Sequence, residues 1–171
     1  ELIENDIRVL RAQLYLSQNL TDRWNASLAY TYGDYSDDNE SDDVSLAIRY
    51  ALHPTNPVWN VGYRVRYLNF DRQSGSGYFD PNDFISNQIF TTLYYERNRF
   101  YLYVEPYAGY QTFRRNGEDS DDVIGGGYGS IGCRLTDSFN VEAFVEGGNF
   151  AVDSAAGFDY YMAGAKIIIT F

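Results

Sequence analysis

Residues with obvious catalytic chemistry are scarce in this chain of 171 residues, which holds one histidine and one cysteine. His53 lies in the segment His-Pro-Thr-Asn-Pro, whose composition is typical of a turn. Cys133 has no second cysteine for an intrachain disulfide, and one Cys with one His is too small a set for a structural zinc site. The glycine-rich run at 125–129 lacks the Lys-Ser/Thr pair of a phosphate-binding loop. We therefore predict no enzymatic activity, no catalytic residue, no metal site and no cofactor.

Carboxylates are the most abundant ionisable groups. The chain has 24 Asp and Glu against 13 Lys and Arg, which gives a net charge of -11. Nucleic acid is excluded as the expected partner, because phosphate backbones bind net basic surfaces. Two acidic clusters lie in residues 34–43 and 118–122. Divalent cations could bind there, but the spacing does not follow an EF-hand loop, so we interpret both clusters as solvated charge.

Apolar and aromatic residues recur at every second position in one segment after another. From Trp59 to Tyr67, for example, they alternate with Asn, Gly and Arg. A period of two sustained over such a length is typical of a β-strand with two chemically different faces. Most of the segments reach or exceed the about 9–11 residues that a tilted strand needs to cross a bilayer. The predicted strands are 5–18, 23–34, 43–52, 58–70, 84–96, 99–113, 122–135, 139–150 and 158–171.

The connections between these segments alternate in length. The short connections are 19–22, 53–57, 97–98 and 136–138, and the long ones are 34–42, 71–83, 114–121 and 151–157. Short turns at one end and longer polar loops at the other are typical of a transmembrane β-barrel. We predict an all-β fold, an antiparallel up-and-down transmembrane β-barrel with about 8–10 strands in this chain, as one domain over residues 1–171. The alternative, a soluble β-sandwich, would have shorter strands.

If the apolar face of each strand meets lipid, the opposite face lines a lumen, and Cys133 falls on the lipid side. The early strands then supply mainly basic groups to the lumen and the later strands largely acidic ones. Two alternatives stay open: a transverse field acting on a polar solute, or charges that pair across a narrow, plugged barrel. The predicted lining residues are Arg11, Arg49, Arg64, Arg66, Glu105, Arg134, Glu142, Glu146 and Lys166.

The end of the chain resembles the C-terminal assembly signal of Gram-negative outer-membrane barrels. Its alternating apolar face includes Tyr161, Ile167, Ile169 and the terminal Phe171. The resemblance implies location in the bacterial outer membrane, a periplasmic C-terminus, and outer-membrane lipid and the barrel assembly machinery as partners. All four long loops are then extracellular. With nine strands and a periplasmic C-terminus, the first strand would begin outside the cell, whereas bacterial single-chain barrels have an even number of strands. We therefore expect the chain to be the C-terminal part of a larger barrel rather than a closed barrel whose strands are miscounted.

The stretch Gly77-Tyr78-Phe79-Asp80-Pro81-Asn82-Asp83-Phe84, followed by five predicted strands, resembles a motif of one group of outer-membrane barrels. These are the C-terminal porin domains of tetratricopeptide-repeat exopolysaccharide exporters, such as the exporter component of bacterial cellulose synthase. The departure is Asp80, where that group often has Ser. The resemblance covers about residues 77–171 and implies a barrel of about sixteen strands. It also implies a polysaccharide and a periplasmic repeat scaffold as partners.

The favoured function is a porin-like conduit for export or passage of a polysaccharide or other polar solute. The alternative is a small closed outer-membrane barrel with a structural or adhesive role, which acts through its acidic extracellular loops. A barrel enzyme is the weakest hypothesis, because His53 falls in a predicted periplasmic turn.

Overall fold

The computed structural model describes residues 7–73, 80–115, 117–136, 138–150 and 158–169. Each strand pairs antiparallel with the next one in the chain, and all belong to one sheet. The expected all-β, antiparallel up-and-down fold is confirmed, with nine strands among the described residues. They are β1 (Val9–Asn19), β2 (Trp24–Tyr35), β3 (Asn39–His53), β4 (Val58–Phe70), β5 (Asn82–Arg97), β6 (Phe100–Arg115), β7 (Glu118–Thr136), β8 (Phe139–Phe150) and β9 (Phe158–Ile169).

The described part of the chain contains no helix that is long and apolar enough to cross a membrane.

Two of the four predicted long loops are wrong, because the acidic clusters continue the strands. β3 begins at Asn39 and β7 at Glu118, four residues earlier than expected in each case. The chain turns tightly over residues 36–38, with Asp38 in the left-handed region at φ 60. The carboxylates stay in the ladder because side chains of the partner strand bind them. The Tyr30 hydroxyl donates to Asp42 over 2.5 Å. Strand register thus overrides the turn-like composition of these segments.

Of the other two predicted long loops, residues 71–73 and 80–83 are described and 151–157 are not. Within the motif at 77–84, residues 77–79 also lie outside the described residues. Asp80 and Pro81 are buried directly before β5, and the backbone N–H of Phe70 donates to the Pro81 carbonyl over 3.3 Å. Five strands, β5 to β9, follow.

The sheet is strongly curved. Arg64 on β4 and Tyr160 on β9 line the same recess although they are five strands apart. At about 4.8 Å per strand, a flat sheet would separate these strands by about 24 Å. We call the inner side, which carries this recess, the concave face, and the outer side the convex face. Within the described residues, pairing stops at β1 and β9, so these two strands are the edges of an open sheet.

The convex face is apolar and exposed. The alternation predicted from the sequence places Cys133 here, paired with Phe100 and Val141 on the neighbouring strands. Exposed apolar side chains of this face include Leu14, Leu46, Ile48, Trp59, Tyr63, Ile89, Leu102, Val123, Ile131, Val145, Tyr161 and Ile167. Such an extended apolar surface is unfavourable in water and is typical of a surface covered by lipid or protein.

The buried apolar core lies on the concave face, towards the end where β2 meets β3 and β4 meets β5. It consists of five side chains that pack across four strands: Tyr35, Leu68, Phe70, Phe84 and Phe113. The rings of Tyr35 and Phe70 have centroids 5.4 Å apart. The rest of the concave face is mostly polar.

Candidate lumen lining

The strand register shows which residues lie on the concave face. Ala47 pairs with Arg64, Arg64 with Gln88, and Gln88 with Gly109. Because residues that are paired directly across a ladder share a face, the register assigns every strand position to one side. All nine residues expected to line a lumen lie on the concave face, and the lumen itself stays a prediction. They are Arg11, Arg49, Arg64, Arg66, Glu105, Arg134, Glu142, Glu146 and Lys166.

Ion pairs join strands that are not neighbours. Arg64 Nη2 on β4 lies 3.0 Å from Glu105 Oε1 on β6, so this pair spans β5. Arg134 on β7 pairs with Glu96 on β5, which spans β6. Both contacts lie on the inner side of the sheet, where the curvature brings next-nearest strands within reach of each other.

Two further pairs join adjacent strands. Arg66 binds Asp43 in a bidentate manner, with Nε at 2.9 Å and Nη2 at 2.7 Å from the two carboxylate oxygens. Lys166 Nζ lies 2.7 Å from Glu142 Oε1. Four of the six predicted lining cations are therefore neutralised by carboxylates that lie only one or two strands away on the same wall.

Arg11 and Arg49 differ from the other four cations. Neither has a carboxylate within ion-pair distance among the described residues. The Arg49 guanidinium instead lies over the Phe90 ring, 5.7 Å from its centroid. Arg49 is therefore an exposed lining charge whose replacement breaks no ion pair.

Tyrosine hydroxyls satisfy the carboxylates of the concave face. Glu142, only 7% exposed, accepts hydrogen bonds from Tyr101 at 2.8 Å and Tyr128 at 3.2 Å, in addition to Lys166. In the same way, Glu105 accepts from Tyr103, Glu96 from Tyr94, and Glu146 from Tyr160. A buried carboxylate needs such partners to remain charged. The part of the concave face that carries these carboxylates is therefore also rich in tyrosine.

Aromatic side chains on this face lie over glycines of the neighbouring strand. A Cβ built on Gly62 would lie 2.7 Å from the Phe90 ring atom Cε1, and one built on Gly164 would lie 2.7 Å from the Phe144 ring. Tyr107 on β6 extends over two strands, because its hydroxyl would be 2.7 Å from a Cβ on Gly126 and 2.5 Å from one on Gly148. The glycines therefore provide the space in which the rings lie across the sheet.

Sequence reasoning missed part of this lining. Asp43 and Glu96 lie at the ends of their predicted strands and are absent from the predicted set, although their positions keep the inward alternation. The inward tyrosines are also absent from it, because the alternation favours aromatic residues on the lipid side. The sequence does hold a signal for inward aromatic residues, because Gly62 lies at an inward position directly opposite Phe90 of the paired strand.

The remaining predicted positions lie in a turn and at the C-terminal strand. His53 Nδ1 lies 2.9 Å from the Thr55 carbonyl and 2.8 Å from the Pro57 carbonyl, so its ring closes the β3–β4 turn. Tyr161, Ile167 and Ile169 of the C-terminal pattern are on the convex face, and Tyr161 is 91% exposed. Phe171 lies outside the described residues. Among the described residues no group of three His, Cys, Asp or Glu could hold a metal ion.

An ion pair at the tip of the β6–β7 hairpin provides a pH-dependent contact. Arg114 Nε donates to Asp119 Oδ1 over 2.8 Å, and the adjacent guanidinium holds the pKa of this carboxyl below its usual value of 3.8. We expect Arg114→Gln to raise the pKa of Asp119 towards that value. An NMR titration of the carboxyl carbon measures the change, and an unaltered midpoint would rule out the pair in solution. The pair's contribution to stability should be present above pH 3.8 and disappear as pH falls through the lower, folded-state pKa.

No family model and no curated protein sequence matches the chain. The structure superposes on a solved one described as a bacterial polysaccharide outer membrane secretin, with a TM-score of 0.77 and 13% sequence identity. The chain shares the all-β fold of this structure. The match covers 96% of this chain and 58% of that chain, so the nine strands correspond to little more than half of the larger structure. At this identity the likeness concerns the fold alone.

Proposed function

We propose that the chain forms part of an outer-membrane β-barrel that serves as a porin-like conduit for a polysaccharide or another polar solute. The observation that carries the proposal is the contrast between the two faces of the sheet. The convex face exposes apolar residues such as Leu46, Ile89 and Val145. The concave face carries ion pairs, tyrosine hydroxyls and exposed arginines. An apolar exterior around a polar interior is the arrangement of barrels that pass polar solutes through a membrane.

The fold likeness supports the same proposal, because the structure on which the chain superposes is described as a polysaccharide secretin of the outer membrane. Passage of a sugar chain requires a wall that offers hydrogen-bond donors and acceptors along its length. Tyr94, Tyr103 and Tyr128 place such groups on three successive strands of the concave face.

Location and partners follow from the proposal. The convex surface would contact outer-membrane lipid. The C-terminal strand, with Tyr161, Ile167 and Ile169 on the lipid side, would be the segment read by the barrel assembly machinery. A periplasmic repeat scaffold would deliver the sugar chain. Detection of the protein in the outer-membrane fraction, and its loss from that fraction on deletion of residues 167–171, would test this assignment.

A conductance measurement tests the conduit. We expect the intact protein, purified from outer membranes, to form ion-conducting pores in planar lipid bilayers. Arg49→Glu should shift the reversal potential in a salt gradient towards cation preference, because it reverses a wall charge and breaks no ion pair. Arg97→Glu is the matched control, since Arg97 pairs with Phe100 on the convex side and its replacement should leave selectivity unchanged.

Two results would contradict the conduit. Stable insertion without any conductance would favour the alternative of a closed barrel with a structural or adhesive role. An equal shift for Arg49→Glu and Arg97→Glu would mean that the concave face does not line the ion path.

A further inference from the structure

A recess of about 250 Å³ opens on the concave face where the curvature brings β4 close to β9. Its walls come from five of the nine strands. Arg64, Arg66 and Gln88 form one side, and Tyr107, Glu146 and Tyr160 form the other. Early and late strands of the sheet therefore face each other here across open space.

The arginine side of the recess is held in a fixed geometry. Arg64 uses Nη2 to bind Glu105 and lies over Phe90, 4.7 Å from the ring centroid. Arg66 is bound at Nε and Nη2 by Asp43. A guanidinium has five N–H donors, so each arginine keeps donors that its carboxylate partner does not use. Both side chains are still about a third or more exposed, at 35% and 40%. They can therefore donate to a ligand without rearrangement.

The opposite side combines an aromatic surface with an acceptor. Tyr107 lies across Gly126 and Gly148, and Tyr160 lines the same side of the recess. Tyr160 donates to Glu146 over 3.0 Å. Tyr107 is half-buried, so part of its ring is open to the recess. An aromatic ring that lies above two glycines can stack against the apolar C–H face of a sugar, while Glu146 accepts hydrogen bonds from the sugar hydroxyl groups.

The charges around the recess favour an uncharged ligand over an acidic one. Arg64 is neutralised by Glu105, and Arg66 by Asp43. Glu146 has no Lys or Arg within ion-pair distance among the described residues. The net charge of the recess, counted with the carboxylate partners of its two arginines, is therefore negative. A carboxylate on the ligand would be repelled by Glu146 and would find both arginines already paired.

From these observations we infer that the recess is a binding subsite for one unit of a neutral sugar chain. Tyr107 provides the stacking surface, Arg64 and Arg66 the donors, and Glu146 the acceptor. This inference rests on the proposed conduit and deepens it, because it assigns one contact point and one class of sugar to the concave wall.

Equilibrium binding tests the subsite without requiring conductance. The intact protein in detergent micelles is titrated with a neutral β-1,4-linked glucose hexamer and with a galacturonate hexamer, and the heat of binding is recorded. We expect the glucose hexamer to bind more tightly. Tyr107→Leu should weaken its binding about tenfold, and Tyr107→Phe, which keeps the ring, should retain most of it. Glu146→Gln should reduce the preference over the acidic hexamer.

Tyr63→Leu is the matched control, because Tyr63 is an exposed tyrosine of the convex face. Equal weakening by Tyr63→Leu and Tyr107→Leu, or tighter binding of the galacturonate hexamer, would overturn the subsite. Absence of any binding would also overturn it. A pore that conducts ions but binds no glucose hexamer would refute the subsite and leave the conduit intact. Binding without conductance would support the subsite and refute the conduit.

Discussion

Replacing Glu142 by alanine is expected to destabilise the folded protein by about 1–3 kcal/mol, the usual cost of leaving partly buried hydrogen-bonding groups without their partner. The Glu142 carboxylate is 7% exposed and binds Lys166, Tyr101 and Tyr128 at once. Its removal leaves an ammonium and two hydroxyls without their acceptor on the concave face. The midpoint of urea unfolding, measured on protein folded in lipid vesicles, reports the change.

Two variants show whether this loss is specific. Glu142→Gln keeps an acceptor for the tyrosines and removes the charge that Lys166 neutralises, so it should fall between wild type and Glu142→Ala. Glu118→Ala removes a carboxylate that is exposed at the start of β7, and it should change stability by less than about 0.5 kcal/mol. If Glu142→Ala unfolds at the same urea concentration as Glu118→Ala, the buried network does not contribute to stability.

Strand pattern and face assignment could be predicted from the sequence, because a strand repeats with a period of two residues. Trp59, Val61 and Tyr63 alternate with polar residues in the sequence, and the register places them on the convex face. The same periodicity placed Arg64 and Arg66 on the opposite side. Local pattern is sufficient here because each strand is long and its two faces differ in chemistry.

The ends of β3 and β7 could not be predicted by the same reasoning. Runs of Asp and Glu have the composition of a solvated loop, and only the partner strand shows why they remain extended. Asp42 and Asp121 accept hydrogen bonds from Tyr30 and Tyr110, respectively, of the preceding strand. Such cross-strand pairs depend on the register, which the turn sets and which composition alone does not specify.

The residues that line the recess also could not be predicted from the sequence, because their proximity depends on the curvature of the sheet. Nothing in the local pattern states that β4 approaches β9. Ion pairs such as Arg64 with Glu105, and aromatic residues that occupy the space above glycines, lie on the inner side of this curvature and depend on it. Periodicity therefore identifies the lining charges residue by residue, whereas it leaves open which of them pair.

Gly126→Ala is expected to destabilise the sheet by about 1–3 kcal/mol, the range for overpacking a filled site. A Cβ at Gly126 would lie 2.7 Å from the Gly148 Cα and 2.7 Å from the Tyr107 hydroxyl, and it would also contact the Gly147 carbonyl. Two of these three atoms belong to the backbone of β8, which cannot move without loss of its pairing with β7. Urea unfolding in vesicles measures the loss of stability.

Gly125→Ala is the matched control one residue away. Gly125 points to the convex side, and the nearest atom to a Cβ built there is the Tyr107 carbonyl oxygen at 3.7 Å, an ordinary contact. We expect its stability to stay within about 0.5 kcal/mol of wild type. The two variants add the same methyl group to the same strand, so only the side to which it points differs. A larger loss for Gly125→Ala than for Gly126→Ala would show that the packed face is the opposite one, and the lining residues, the recess and the conduit would all be assigned to the wrong side of the sheet.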